Sequence, residues 1–229
     1  MPDATRPFLK VCGLTRLADV RGAEAAGARY CGLIVEIARS PRSITRAQAT
    51  LLARGLRARP VLVVEDMPPA EVAALVEATN AAAVQLHGGG TDYVAAVVQA
   101  LGGRAQLWRS VGLPERTEDR EGAVAAALAE IEAALAAGAS AIVLDTRCAG
   151  GTGGTGRTCD WEAAAEIVRR CPAPVILAGG LCAENLAEAL ETTGAAGLDL
   201  SSSLERAPGR KCPLRLRDLA RAWREIIGE

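Results

Sequence analysis

The chain has 229 residues, 50% of them hydrophobic, and carries 26 Lys plus Arg against 27 Asp plus Glu, a formal net charge of -1. That balance supplies no basic field for nucleic acid or an anionic membrane surface, and every apolar run is shorter than the ~20 residues a membrane span requires. A single histidine, His87, and seven cysteines without Cys-x-x-Cys spacing leave neither a metal site nor a Ser-His-Asp triad to be expected. The opening residues, Met1 to Pro7, lack the apolar segment of a secretory signal, so a cytoplasmic location with free thiols is expected. The expected partner is a small molecule, with the chain itself a monomer or a homodimer.

Short runs of Val, Ile and Leu alternate with Ala/Glu/Arg segments of helical period. Taken in order, the strands are expected at Phe8–Val11, Tyr30–Val35, Val61–Glu65, Ala82–Leu86, Ala105–Val111, Ala141–Leu144, Val175–Ala178 and Gly197–Leu200. Helix starts are expected after Thr15, after Thr45, at Pro68-Pro69 and after Asp160. Helix ends are expected at Gly27, Gly55, Gly102, Gly138 and Gly194. Strands that read as continuous apolar runs are buried on both faces, which implies a parallel sheet covered by helices. Eight such units without a linker make residues 1–229 one domain, a compact (β/α)8 TIM barrel. An open doubly wound sheet is the alternative, disfavoured because the first turn, Cys12-Gly13-Leu14-Thr15, is not a Gly-rich dinucleotide turn.

In such a barrel the residues that follow each strand face the active site. They are Cys12, Glu36 through Arg42, Asp66, His87, Arg109, Asp145, Gly179-Gly180 and Ser201-Ser202-Ser203. The last two sets, at the ends of the seventh and eighth strands, offer backbone amides and hydroxyls for a phosphate, with Ser201 to Ser203 opening a short helix. Gly150 to Gly156, directly after Asp145, reads as a loop able to close as a lid. Lys10 and the following helix N-terminus are expected to lower the pKa of Cys12. Arg42, in Ser40-Pro41-Arg42, could hold a carboxylate in a fork, against the plainer reading of a solvated arginine.

Several segments together resemble phosphoribosylanthranilate isomerase. They are Lys10-Val11-Cys12-Gly13-Leu14-Thr15, Ser40-Pro41-Arg42, Val84-Gln85-Leu86-His87-Gly88, Leu144-Asp145-Thr146 and Gly153-Gly154-Thr155-Gly156 with Asp160-Trp161. They continue with Leu177-Ala178-Gly179-Gly180-Leu181, then Asp199-Leu200-Ser201-Ser202 with Glu205 and Pro208-Gly209-Lys211. The resemblance implies a cofactor-free Amadori rearrangement of N-(5-phosphoribosyl)anthranilate to 1-(2-carboxyphenylamino)-1-deoxyribulose 5-phosphate in tryptophan biosynthesis. It implies Asp145 as general acid and Cys12 as base. It further implies that Arg42 grips the anthranilate carboxylate, that Gly179, Gly180, Ser201 and Ser202 hold the phosphate, and that His87 is a further substrate-binding residue.

The chain departs from the family pattern at Glu36, at Val64-Glu65-Asp66, at Cys159, at Leu181-Cys182-Ala183, at Ser203 and at Cys212. Two other readings follow: an isomerase of another phosphorylated sugar amine, whose cationic or hydroxylated group meets Glu36 or Asp66, and a barrel that binds a phosphorylated ligand without turnover.

Overall fold

The computed structural model describes residues 6–115, 118–147 and 158–228. Eight parallel strands close in sequence order into a barrel: β1 (Phe8–Val11), β2 (Tyr30–Ile34), β3 (Arg59–Glu65), β4 (Ala83–His87), β5 (Gln106–Pro114), β6 (Ala141–Arg147), β7 (Val175–Ala178) and β8 (Gly197–Leu200). Seven helices connect them: α1 (Leu17–Ala25), α2 (Arg46–Arg54), α3 (Pro69–Thr79), α4 (Thr91–Leu101), α5 (Arg120–Ala136), α6 (Trp161–Arg170) and α7 (Leu186–Thr193). After β8 come a single 3-10 turn at Ser202–Leu204, a small antiparallel pair, β9 (Glu205–Ala207) and β10 (Arg210–Lys211), and a last helix, α8 (Pro213–Ile227). The barrel expectation therefore holds, and the open sheet is excluded by the β1–β8 pairing. The glycine loop at 150–156, expected as a lid, lies outside the described residues.

Local chemistry explains most of the element boundaries. Thr45 caps α2 in a full capping box with Gln48, and Asp160 caps α6 by accepting from the amides of Glu162 and Ala163. Gly102 and Gly194 end α4 and α7 in the left-handed conformation. Thr15 is a correction: α1 begins one residue later, behind Arg16, and the Thr15 hydroxyl instead donates to the Gly209 carbonyl at 2.6 Å. That bond ties the first loop to the β9–β10 hairpin.

The strand period of two sorts side chains between two cores. Leu9, Val11, Leu33, Leu62, Val64, Leu86, Ile142, Leu144, Leu177 and Leu198 point outward and pack under the helices. The inward set is stratified along the barrel axis. At the N-terminal end Phe8, Tyr30 and Trp108 plug the interior, with ring centroids 4.9 to 6.3 Å apart, among Val61, Ala83, Ala141 and Ile176. Edge-on aromatic contacts of this kind each add about 0.5–1.5 kcal/mol beyond the area they bury. Three of the few aromatic residues are spent on that plug, and the opposite, C-terminal end is left polar.

Candidate active site

Two residues further along β1, β4, β5 and β8, the inward positions change character. Lys10, Gln85, Ser110 and Asp199 sit above the plug, and above them stand Cys12, His87, Asp145 and Ser201 at the strand tips. A cavity of about 320 Å³ opens over these groups. Cys12, Asp145, Arg42, His87, Gly179, Gly180, Ser201 and Ser202 all line it. The eight site residues read from the sequence are thus brought together at one end of the barrel.

The electrostatics centre on Lys10. Its side chain is fully buried, and its Nζ donates to Asp199 Oδ2 at 2.6 Å. Burial alone would lower the lysine pKa, but Asp199 and Cys12 hold it above its ordinary value, so the ammonium is kept. Asp145 moves the other way: burial and the Asp199 carboxylate raise its pKa to about 6, against the Thr146 amide that donates to Oδ1 at 2.8 Å. A carboxylic acid is therefore available near neutral pH.

Cys12 departs from expectation. Burial raises the thiol pKa, and the pull of Lys10 reduces this rise without reversing it. The sequence reading placed the thiol near a helix N-terminus, whereas α1 starts only at Leu17 and the sulfur is buried against Lys10 and Gly32. A β-carbon added at Gly32 would stand 2.6 Å from Cys12 Sγ and 3.0 Å from its Cα, so the glycine makes the space the thiol occupies.

His87 is neutral. Burial and the Lys10 charge bring its pKa to about 4, and its Nε2 lies 3.2 Å from both Gln85 Nε2 and Ser110 Oγ. Gln85 in turn donates to Ser110 Oγ at 3.0 Å. Two acceptor oxygens on cavity-lining residues, Gln85 Oε1 and Asp199 Oδ1, are buried and have no hydrogen-bond partner among the described residues. Buried acceptors left unpaired are costly, so these two oxygens are the energetically unsatisfied groups of the cavity wall.

At the C-terminal end of β7, Gly179 (φ 87°) and Gly180 (φ 64°) adopt conformations that side chains disfavour, and a β-carbon on Gly179 would collide with Thr146. At the tip of the neighbouring strand β8, Ser201 donates its hydroxyl to the Cys12 carbonyl at 3.2 Å. The apolar part of the cavity is lined by Ile34, Ile37 and Val63, which cluster with Cys12. No aromatic side chain is among the cavity's lining residues. Among the described residues no three His, Cys, Asp or Glu side chains are grouped to hold a metal ion.

Residues 9–221 match the family described as N-(5'-phosphoribosyl)anthranilate (PRA) isomerase. A protein of that name from Cereibacter sphaeroides is 38% identical over 215 residues, covering 91% of this chain and 94% of the relative. Another, from Methanopyrus kandleri, is 35% identical over 228 residues, covering 95% and 99%. Among solved structures, phosphoribosyl anthranilate isomerase from Thermus thermophilus superposes with a TM-score of 0.75 at 29% identity, over 96% of this chain and 99% of that one. The chain belongs to the phosphoribosylanthranilate isomerase family. As a member it is an isomerase of tryptophan biosynthesis, and Cys12, Arg42, His87, Asp145, Gly179, Gly180, Ser201 and Ser202 of its sequence motifs line the cavity.

Within this family member, two of the sequence departures face away from the cavity. Glu36, held at φ 52°, accepts from Arg46 Nε at 2.9 Å outside the cavity lining, and Asp66 is exposed at φ 49°. Neither supplies a carboxylate to the cavity. Glu65, also outside the lining, pairs with Arg39 at the rim. Arg42 is not a free solvated arginine: its Nε and Nη2 donate to Glu205 at 2.9 and 2.8 Å. Arg109 leaves the set of strand-end candidates too, since its guanidinium donates to the Gly88 carbonyl and to Glu130.

Beyond the strand-tip residues expected from the sequence, the site also contains the Lys10–Asp199 pair, Gln85, Ser110 and the aliphatic wall. A signal was present: Lys10, Gln85 and Asp199 each interrupt an apolar strand two residues before a strand-tip candidate, and so share its face.

Proposed function

We propose that the cavity converts N-(5-phosphoribosyl)anthranilate to 1-(2-carboxyphenylamino)-1-deoxyribulose 5-phosphate, with Asp145 as general acid and Cys12 as general base. Asp145, protonated below about pH 6, gives its proton to the ribose ring oxygen while the anilino nitrogen pushes its lone pair toward C1. The C1–O bond breaks and a protonated Schiff base remains. The Cys12 thiolate then removes the proton from C2, the released electron pair forms the C1=C2 bond, and the iminium nitrogen is neutralised. Loss of the enol hydroxyl proton and protonation of C1 complete the ketone, with no atom gained or lost.

Lys10 serves this chemistry by easing formation of the thiolate, which burial opposes more strongly than Lys10 favours it in the unliganded cavity. The phosphate is assigned to Gly179, Gly180, Ser201 and Ser202, where glycines at positive φ keep the backbone free of side chains. Arg42 takes the aryl carboxylate with the edge of its guanidinium that Glu205 does not use. His87 meets the substrate as a neutral ring. Ile34, Ile37 and Val63 pack on the aryl ring, and Gln85 Oε1 and Asp199 Oδ1 accept from the sugar hydroxyls.

The observation that carries this reading is a protonatable carboxyl and a thiol beside Lys10 in one cavity whose lining also includes Arg42 and the glycine and serine turns after β7 and β8. The turned-away Glu36 and exposed Asp66 favour this substrate over a sugar amine with a cationic group. Chemically generated phosphoribosylanthranilate, followed by the loss of its fluorescence, tests the reaction. Growth of a tryptophan auxotroph lacking the isomerase tests it in the cell, and a protein that binds inorganic phosphate but restores neither would be a binding barrel instead.

A further inference from the structure

Between β8 and α8 the chain folds back over the rim as the β9–β10 hairpin, and Glu205 opens it with its side chain only 4% exposed. Its Oε1 accepts from Arg42 Nε at 2.9 Å, from Lys211 Nζ at 3.0 Å and from the Gly209 amide at 3.3 Å, while Oε2 accepts from Arg42 Nη2 at 2.8 Å. Lys211, fully buried, also donates to the Ser201 carbonyl at 2.9 Å. One carboxylate thus holds the arginine, and through Lys211 it is linked to the serine turn. Gly13 completes the fit: a β-carbon there would stand 2.6 Å from Arg42 Cδ and 3.1 Å from Ser201 Oγ.

We propose that Glu205 is a positioning residue that fixes the direction of the Arg42 guanidinium, and that Lys211 keeps Glu205 and the Ser201 turn in one rigid frame. The proposal rests on the reading of Arg42 as the grip for the aryl carboxylate. A side-on pair with Glu205 uses Nε and one hydrogen of Nη2, which leaves the end-on edge, Nη1 with the second Nη2 hydrogen, for another carboxylate. Without the pair the long arginine stem would lose its single direction. For stability alone, a buried cluster of two cations on one anion is a poor device, because apolar side chains of similar volume do as well.

The frame separates binding from chemistry. In Glu205→Gln the KM for phosphoribosylanthranilate is expected to rise about tenfold with kcat within about threefold and the inhibition constant of inorganic phosphate within about twofold, as for loss of a contact made equally in ground and transition states. In its crystal structure Arg42 leaves the place beside Gly13. If that variant does not fold, Glu205→Gln/Lys211→Met, which removes the Glu205 and Lys211 charges together, takes its place and is read by the position of Arg42. An Arg42 that keeps its place in either variant overturns the proposal. So does an unchanged KM, or a KM, phosphate constant and kcat that all worsen in parallel, since that is the signature of a collapsed rim. A wild type without turnover would sink the substrate reading instead, and the position of Arg42 would still decide the role of Glu205.

Discussion

Lys10 and Asp199 are register partners where the first barrel strand meets the last, and their side chains join inside the barrel at 2.6 Å. The ion pair therefore closes the fold and underlies the cavity at the same point. Because Cys12 follows Lys10 by two residues on the same strand face, the charge that locks the seam is also the charge beside the thiol.

Lys10→Met tests that double duty. Removing one partner leaves Asp199 buried and unpaired, a loss of roughly 3–5 kcal/mol. Lys10→Met/Asp199→Asn is expected to recover most of this stability in urea unfolding, yet kcat stays low and the thiolate absorbance of Cys12 appears only at higher pH than in the wild type. Recovery of kcat along with stability would show that Lys10 only holds the barrel together.

Cys12→Ala and Asp145→Asn are each expected to lower kcat by about a hundredfold to ten-thousandfold, the usual reach of a positioned acid or base. Circular dichroism and phosphate inhibition should stay as in the wild type. Full activity in both variants would remove them from the mechanism.

Gly32→Ala should act on the same thiol from the neighbouring strand β2. Its new β-carbon meets Cys12 at 2.6 Å from Sγ and 3.0 Å from backbone, so the thiol or β1 must move. The expected cost is about 1–3 kcal/mol in stability, with a fall in kcat larger than any change in KM, measured by steady-state kinetics beside thermal unfolding.

His87 makes stability depend on pH with a definite sign. Its pKa is about 4 in the fold against 6.5 unperturbed, so its contribution is fully present above 6.5 and is lost as pH falls toward 4. The loss amounts to roughly 3 kcal/mol from a shift of that size. Urea unfolding at about pH 7.5 and about pH 5 should show a larger difference for wild type than for His87→Gln, because the glutamine has no proton to gain.

The thiols should differ in reactivity. Burial raises Cys31 and Cys159 to about 12, whereas the amides at the start of α8 lower Cys212. Iodoacetamide followed by peptide mass mapping is expected to label Cys212 well before Cys31 or Cys159. Equal labelling would contradict the burial of the latter two.

The barrel was legible because eight continuous apolar runs can be buried only between a packed interior and covering helices. The strand tips, and with them Cys12, Asp145 and the serine and glycine turns, followed from that. What escaped was set by depth and by distance along the chain. Burial, which periodicity does not measure, reversed the expected pKa shift of Cys12. The partner of Arg42 lies 163 residues away on a hairpin with no strong strand signal. Glu36 looked like part of the site because it follows β2, but its left-handed backbone turns it to Arg46.

The β1–β8 pairing also orders events during synthesis. β1 leaves the ribosome first and β8 last among the barrel strands, so Lys10 waits without its counter-charge while nearly the whole chain is made. A nascent chain stopped before Asp199 carries Cys12 and Asp145 but has no closed cavity around them. Lys10 thus meets its counter-charge, beneath Cys12, only in the step that closes the barrel.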